Sequence, residues 1–142
     1  MSKLTLVIGN KNYSFWSLRP WLWMKHLDLS FDEKLVRLYV DDMVSNLESY
    51  PSNYKVPAPI DDDLYVWDSL AILEYLSQQY ANRFAQINPA AQAVMRSLCA
   101  EMHSSFIALR NEMPMNCRRQ PGPLKHSDDC KKDIARIKHL WQ

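Results

Sequence analysis

With 142 residues, the chain has room for one ordinary domain, or for a small α/β domain and part of a second. Its 17 basic and 16 acidic residues leave a net charge of +1, which supplies no basic stripe for a nucleic-acid backbone and directs attention to a small molecule or another protein as partner. No run approaches the roughly 20 apolar residues of a membrane span, and the first residues lack the positive, apolar and small-residue succession of a signal peptide, so a cytoplasmic location with no membrane partner is expected.

Leu4-Thr5-Leu6-Val7-Ile8 is an apolar, β-rich run closed by Gly9-Asn10, and it reads as a buried strand followed by a turn. Ser17 is placed to cap the next helix, with Pro20 in the first turn, where a missing N–H costs nothing. That helix runs to about Leu27 and offers Leu18, Trp21, Leu22 and Met24 for burial. Alternation of Leu35, Arg37 and Tyr39 against Lys34, Val36 and Leu38 suits a second strand over 33–39, parallel to the first with the helix as crossover. A short helix is expected over 42–50 with Met43, Val44 and Leu47 as its apolar face, stopped by Pro51-Ser52-Asn53. Ala58 to Ile60 and Leu64 to Trp67 fit a hairpin turning at Asp61-Asp62-Asp63. Asp68 is a good N-cap for a helix to about Tyr80 that can bury Leu70, Ile72, Leu73 and Leu76. The order β-α-β-α-β-β-α is the thioredoxin-like topology of an α/β domain.

A polar linker follows, and Pro89 is well placed to open a long helix. Ala91, Val94, Leu98, Met102, Phe106, Leu109 and Met113 recur every three or four residues as one apolar stripe, which Pro114 stops. After Pro121-Gly122-Pro123, a second helix repeats the spacing with Cys130, Ile134, Ile137 and Trp141. The expected division is a thioredoxin-like domain over 1–81, a linker over 82–88 and a helical segment over 89–142.

Cys99, Cys117 and Cys130 are odd in number and match neither a zinc motif nor a Cys-x-x-Cys redox pair, so reduced thiols are expected. His26, His103, His126 and His139 form no His-Glu-x-x-His pattern, and no metal is expected.

The strongest functional signal is Lys55-Val56-Pro57-Ala58-Pro59-Ile60 followed by Val66-Trp67-Asp68-Ser69-Leu70-Ala71-Ile72. A proline between an extended segment and a strand is a natural place for a cis peptide, and an acid-Ser pair opening a helix can receive a zwitterion. Together they suggest a site for a small charged peptide. This pairing resembles the glutathione site of the glutathione S-transferase family, and Asn10-Lys11-Asn12-Tyr13-Ser14-Phe15-Trp16-Ser17-Leu18-Arg19-Pro20-Trp21 resembles the active-site loop and first helix of its bacterial serine-type members. The resemblance continues through Glu112-Met113-Pro114-Met115-Asn116-Cys117-Arg118-Arg119. It implies a thioredoxin-like N-terminal domain followed by an incomplete all-helical C-terminal domain, with glutathione as co-substrate, a small electrophile or peroxide as second substrate, and a homodimer as a candidate assembly.

Carried over by position, the resemblance has Val56, before Pro57, supply main-chain bonds to glutathione, Asp68 meet its α-amino group, Ser69 meet its α-carboxylate, and Lys55 stand as a basic residue beside them. Ser14 would activate the thiol. Lowering a thiol pKa of about 8.5 by two units needs about 2.7 kcal/mol of preferential thiolate stabilisation. One hydroxyl donor to a charged group supplies roughly 1.5–3 kcal/mol, and a helix N-terminus adds up to about 2. Against these roles stand plainer ones. Ser14 can simply satisfy a turn, Ser17 can cap, and Asp68-Ser69 is what any helix start would choose. Tyr13 and Ser17 are the rival hydroxyls. Arg19 suits either the site's electrostatics or the surface, Trp16, Trp21 and Trp23 an aromatic pocket or the core, and Arg118-Arg119 a solvated pair.

Three local departures from the family pattern are Tyr54 in place of a small turn residue, Asp61-Asp62-Asp63 in place of Asp-Gly, and Pro59 inside a strand, where it removes a ladder hydrogen bond. Family members also continue through several more helices, so the sequence reads as truncated, with its apolar stripe partly open and prone to dimerise or aggregate. The alternative to a transferase is therefore a non-catalytic glutathione-binding or protein-interaction module arising from truncation. A thiol-disulfide oxidoreductase fits poorly, because both positions of the redox pair are serine.

Overall fold

The computed structural model describes residues 4–38, 43–48, 50, 54–81 and 87–142. They fall into two compact units, Met1–Ile87 and Asn88–Gln142. In the first, β1 (Leu4–Ile8), α1 (Phe15–His26), β2 (Asp32–Leu35), α2 (Met43–Glu48), β3 (Ala58–Asp61), β4 (Leu64–Tyr65) and α3 (Ser69–Leu76) follow in order. The sheet order is β2-β1-β3-β4, with β1 parallel to β2 and β3 antiparallel to both β1 and β4. This is the thioredoxin-like arrangement, and a helical segment follows it.

The alternation of β1 places its side chains on two faces of the sheet. Leu4, Leu6 and Ile8 join Met24 of α1 and Ile72 and Leu76 of α3 in one buried cluster. Val7 points the other way and joins Val36, Leu47, Tyr50 and Ala58 in a second. The 33–39 strand is shorter than expected. β2 is an edge strand bonded only to β1, and the register Ile8↔Leu35 exhausts its partner, with the Val36 N–H to the Ile8 carbonyl as the last rung at 2.8 Å. Tyr39, the linker residues 82–86 and Pro51-Ser52-Asn53 lie outside the described residues.

The cap of α1 also differs. Ser14 is the N-cap, and Ser17 lies inside the helix with its hydroxyl oxygen accepting from the Gly9 N–H at 3.0 Å. Pro20 is consequently an interior proline, fully buried, and cannot donate to the carbonyl one turn back. Leu18 and Leu22 are exposed, whereas Met24 is the buried residue of that face. Trp21 and Trp23 both pack against the first cluster, and the Trp21 indole N–H donates to Glu33 at 2.7 Å.

Pro59 does cost a rung, on the side facing β4. The Val66 N–H donates to the Pro59 carbonyl at 3.2 Å, so the reciprocal donor is the one that proline lacks, while Pro59 pairs with Leu6 on the other side. At the hairpin, Asp62 takes φ 51° in place of the expected glycine, a conformation aspartate tolerates better than most residues. After Leu76 the chain widens into a π-helical turn, Ser77–Ala81. Tyr75 and Tyr80, five residues apart, both donate to Asp61 Oδ2, the first at 2.6 Å.

The second unit holds α4 (Pro89–Ser104), α5 (Ile107–Glu112) and α6 (Asp128–Leu140). The expected single long helix is two. Phe106 is left-handed at φ 67°, and the Arg110 guanidinium closes the break by donating to the carbonyls of Ser105, at 2.9 Å, and Met102. No glycine or proline marks this break in the sequence. It moves Phe106 off the open stripe into a buried position, leaving Val94 and Leu98 exposed. On α6, Cys130 is buried, but Trp141 lies past the helix end and is 80% exposed, so it does not extend the stripe. Among the described residues, no helix is long and apolar enough to cross a membrane.

Candidate functional site

A cleft of about 780 Å³ opens beside the C-terminal ends of β1 and β2. Its walls are the turn and first residues of α1 (Asn10, Tyr13, Ser14, Phe15, Trp16), the segment from Leu35 to Leu38, and the loop before β3 (Tyr54, Lys55, Val56). Crevices outside the carboxyl ends of parallel strands are where α/β sheets commonly bind ligands. Among the described lining residues stand two cations, Arg37 and Lys55, and no carboxylate, a balance that favours an anion.

Ser14 sits where this field meets the helix. The Ser14 and Ser17 hydroxyl oxygens are 2.8 Å apart, and Ser17 also accepts from the Gly9 amide. When the Ser17 proton is given to Ser14, the Ser14 O–H is left to donate into the cleft. Ser14 does not use its hydroxyl to cap α1, and the first turn of that helix carries no acid to oppose a bound anion. The three hydroxyls differ in setting: Ser17 is buried and is not among the lining residues, Tyr13 lines the cleft but is 59% exposed, and Ser14 lines it half-buried.

Arg19 lies over the Trp16 ring, 4.3 Å from its centroid, and 5.6 Å from that of Phe15, placing a cation along the aromatic wall. Trp16 is the tryptophan that lines the cleft. Val56 is joined to Pro57 by a cis peptide bond, and Tyr54, where the family pattern has a small residue, takes φ 58°. Ser14, Lys55 and Val56 are therefore brought together.

Asp68 and Ser69 are not among the cleft's lining residues. Asp68 is the exposed N-cap of α3 at φ 73°, its Oδ1 accepting from the Leu70 N–H at 2.9 Å and the Ala71 N–H at 3.4 Å, and Ser69 is buried. Arg118 and Arg119 are exposed. Sequence reasoning passed over Arg37, taking it as one position of an alternating strand; the early end of β2 turns it toward the cleft. It also passed over Glu112, His126 and Cys130 of the second unit, whose potential ligand atoms lie within 4.8 Å of one another. His126 and Cys130 are four residues apart, the spacing of the two histidines in His-Glu-x-x-His, but Ser127 stands in place of the glutamate and Cys130 in place of the second histidine, so the pattern itself does not match.

Residues 13–79 match the family described as Glutathione S-transferase, N-terminal domain. No curated protein matches the chain. Among solved structures, an epsilon-class glutathione S-transferase from housefly, Musca domestica, is 27% identical with a TM-score of 0.63, over 77% of this chain and 51% of its own. Glutathione S-transferase unclassified 2 from Bombyx mori is 21% identical with a TM-score of 0.73, over 98% and 66%. A glutathione transferase homolog from sulfitobacter, with bound glutathione, is 20% identical with a TM-score of 0.64, over 99% and 65%. The chain thus spans about half to two thirds of the length of these proteins. Residues 13–79 match a glutathione S-transferase N-terminal domain, and the chain as a whole has a glutathione S-transferase-like fold.

Proposed function

We propose that the chain is a serine-type member of the glutathione S-transferase family, that its cleft binds glutathione, and that Ser14 activates the bound thiol for attack on a small electrophile or peroxide. The observation that carries this reading is the Ser14 hydroxyl, held by the buried Ser17–Gly9 pair in the lining of a cleft whose described residues include the cations Arg37 and Lys55. Glutathione carries two carboxylates and one amine, so Arg37 and Lys55 suit its net negative charge. The Val56 backbone would bond the tripeptide's main chain, and Asp68 and Ser69 would receive its γ-glutamyl end from the α3 N-terminus. Ser14 stabilises the thiolate by donating its O–H; the sulfur bonds to carbon as the leaving group departs with its electron pair, or to a peroxide oxygen as the O–O bond breaks and the released alkoxide takes a proton from solvent, and no covalent bond to the protein forms.

The test is calorimetric titration with glutathione beside thiolate absorbance of the complex followed against pH. The wild type should bind and hold the thiol pKa below the free value of about 8.5. Ser14→Ala should return the pKa toward that value, cut turnover, and change affinity only a few-fold. Absence of binding would sink the reading, and a shift produced by Tyr13→Phe but not by Ser14→Ala would transfer the role to the tyrosine. Binding without turnover on any electrophile would mark a non-catalytic glutathione-binding module.

A further inference from the structure

We propose that Glu112, His126 and Cys130 form a binding site for a divalent transition metal, zinc above all, in the second unit. The three come from separate places: Glu112 is the last residue of α5, His126 precedes α6, and Cys130 lies in the first turn of α6. Their carboxylate oxygen, imidazole nitrogen and thiol sulfur lie within 4.8 Å of one another.

Ser127 orients one of the ligands and caps the helix that carries another. The Ser127 N–H donates to Glu112 Oε2 at 2.9 Å and its hydroxyl donates to Glu112 Oε1, while Ser127 Oγ accepts from the Cys130 N–H at 3.1 Å. Such outer partners fix ligand geometry in known metal sites. The third ligand supplies an independent sign. His126 Nδ1 is buried and makes no hydrogen bond, and a buried polar atom without a partner calls for an explanation such as an ion.

The donor set selects the ion. A thiolate with an imidazole and a carboxylate suits borderline zinc, whereas calcium and magnesium prefer oxygen alone. Bond lengths of about 2.0–2.3 Å around a tetrahedral zinc separate ligand atoms by roughly 3.3–3.8 Å. The three atoms lie within 4.8 Å of one another, so they need draw in by no more than about 1–1.5 Å, within reach of side-chain rotation at His126 and Cys130. On binding, the Cys130 thiol releases one proton to solvent, the metal takes thiolate, imidazole and carboxylate, and a water fills the fourth position.

The test uses the full chain freed of metal by chelation and titrated with cobalt(II). One equivalent should bind, giving a thiolate-to-cobalt charge-transfer band with tetrahedral d–d absorption, and zinc should displace it. Cys130→Ser should abolish the band, His126→Ala should weaken binding by about 10-fold or more, and Cys99→Ser with Cys117→Ser should leave both unchanged. Because Cys130 is buried and its variants can fail to fold, X-ray absorption at the zinc edge of the wild type provides a second reading and should show one sulfur among the ligands. A six-coordinate cobalt spectrum, a band that survives Cys130→Ser and is lost with the exposed cysteines, or a zinc shell without sulfur would overturn the site. The result is independent of glutathione binding.

Discussion

A methyl group on Gly9 would lie 2.8 Å from Leu38 Cδ1 and 3.1 Å from both Cβ and Oγ of Ser14. The Leu38 tip can swing away, but Ser14 Cβ is fixed to the start of α1, so the added atom must displace the proposed thiol-activating hydroxyl. Misplacement by a fraction of an ångström weakens a hydrogen bond made to a charged sulfur without emptying the cleft. Gly9→Ala should therefore raise the bound thiol's pKa part of the way that Ser14→Ala does and lower turnover, with glutathione affinity changed less. A thiol titration in the variant that overlays the wild type would show that the loop absorbs the methyl elsewhere.

At the level of elements, Asp68 has two separable duties. As the N-cap of α3 it accepts from the Leu70 and Ala71 amides, so Asp68→Ala should cost about 1 kcal/mol of stability. Asp68→Asn keeps an acceptor oxygen and should retain most of that stability. If the carboxylate also meets the α-amino group of glutathione, the asparagine variant will melt near the wild type and yet bind glutathione several-fold more weakly. Equal affinity in Asp68→Asn and wild type would leave the residue as a cap alone. The break between α4 and α5 separates two effects in the same way. Val94 and Leu98 are 60% and 36% exposed, so replacing both with glutamine should reduce self-association and hydrophobic-dye binding with little change in stability. Phe106 is buried, and Phe106→Ala should instead cost about 3–5 kcal/mol in a denaturant melt. Dye binding that persists in the double glutamine variant would place the sticky surface elsewhere.

Over the whole molecule, stability should fall at both ends of the pH scale for two identifiable reasons. Glu33 accepts from the Lys11 ammonium and the Trp21 indole, which hold its carboxyl below the usual range. Its folded pKa is depressed, so its contribution is present above the unfolded value of about 4.3 and is lost as pH falls through the folded one. Tyr75 is the opposite case. Burial first, and the Asp61 carboxylate second, push its phenol well above its ordinary value. Its contribution is complete below about pH 10 and declines as pH rises beyond it. Melting temperatures should accordingly drop less steeply in acid for Glu33→Gln and less steeply in alkali for Tyr75→Phe. Curves parallel to wild type on both flanks would assign the pH dependence to other groups.

The amino-acid sequence by itself determined the order of strands and helices in the first unit, because period-two and period-three-to-four apolar spacing, a proline and a capping acid act within a few residues of one another. The same local chemistry made Val56-Pro57 and Asp68-Ser69 stand out, whereas Ser14 was singled out by the resemblance to the glutathione S-transferase family. What lay beyond it depends on partners far along the chain. β2 ends where β1 has no more carbonyls to offer, Ser17 turns from capping α1 to receiving the Gly9 amide, and the long helix breaks at Phe106 where Arg110 reaches its last carbonyls. Arg37 enters the cleft, and Glu112 meets His126 and Cys130, for the same reason. Propensity and pattern act over one or two turns of chain, whereas these choices depend on which donor, acceptor or apolar surface the completed packing brings within a few ångströms.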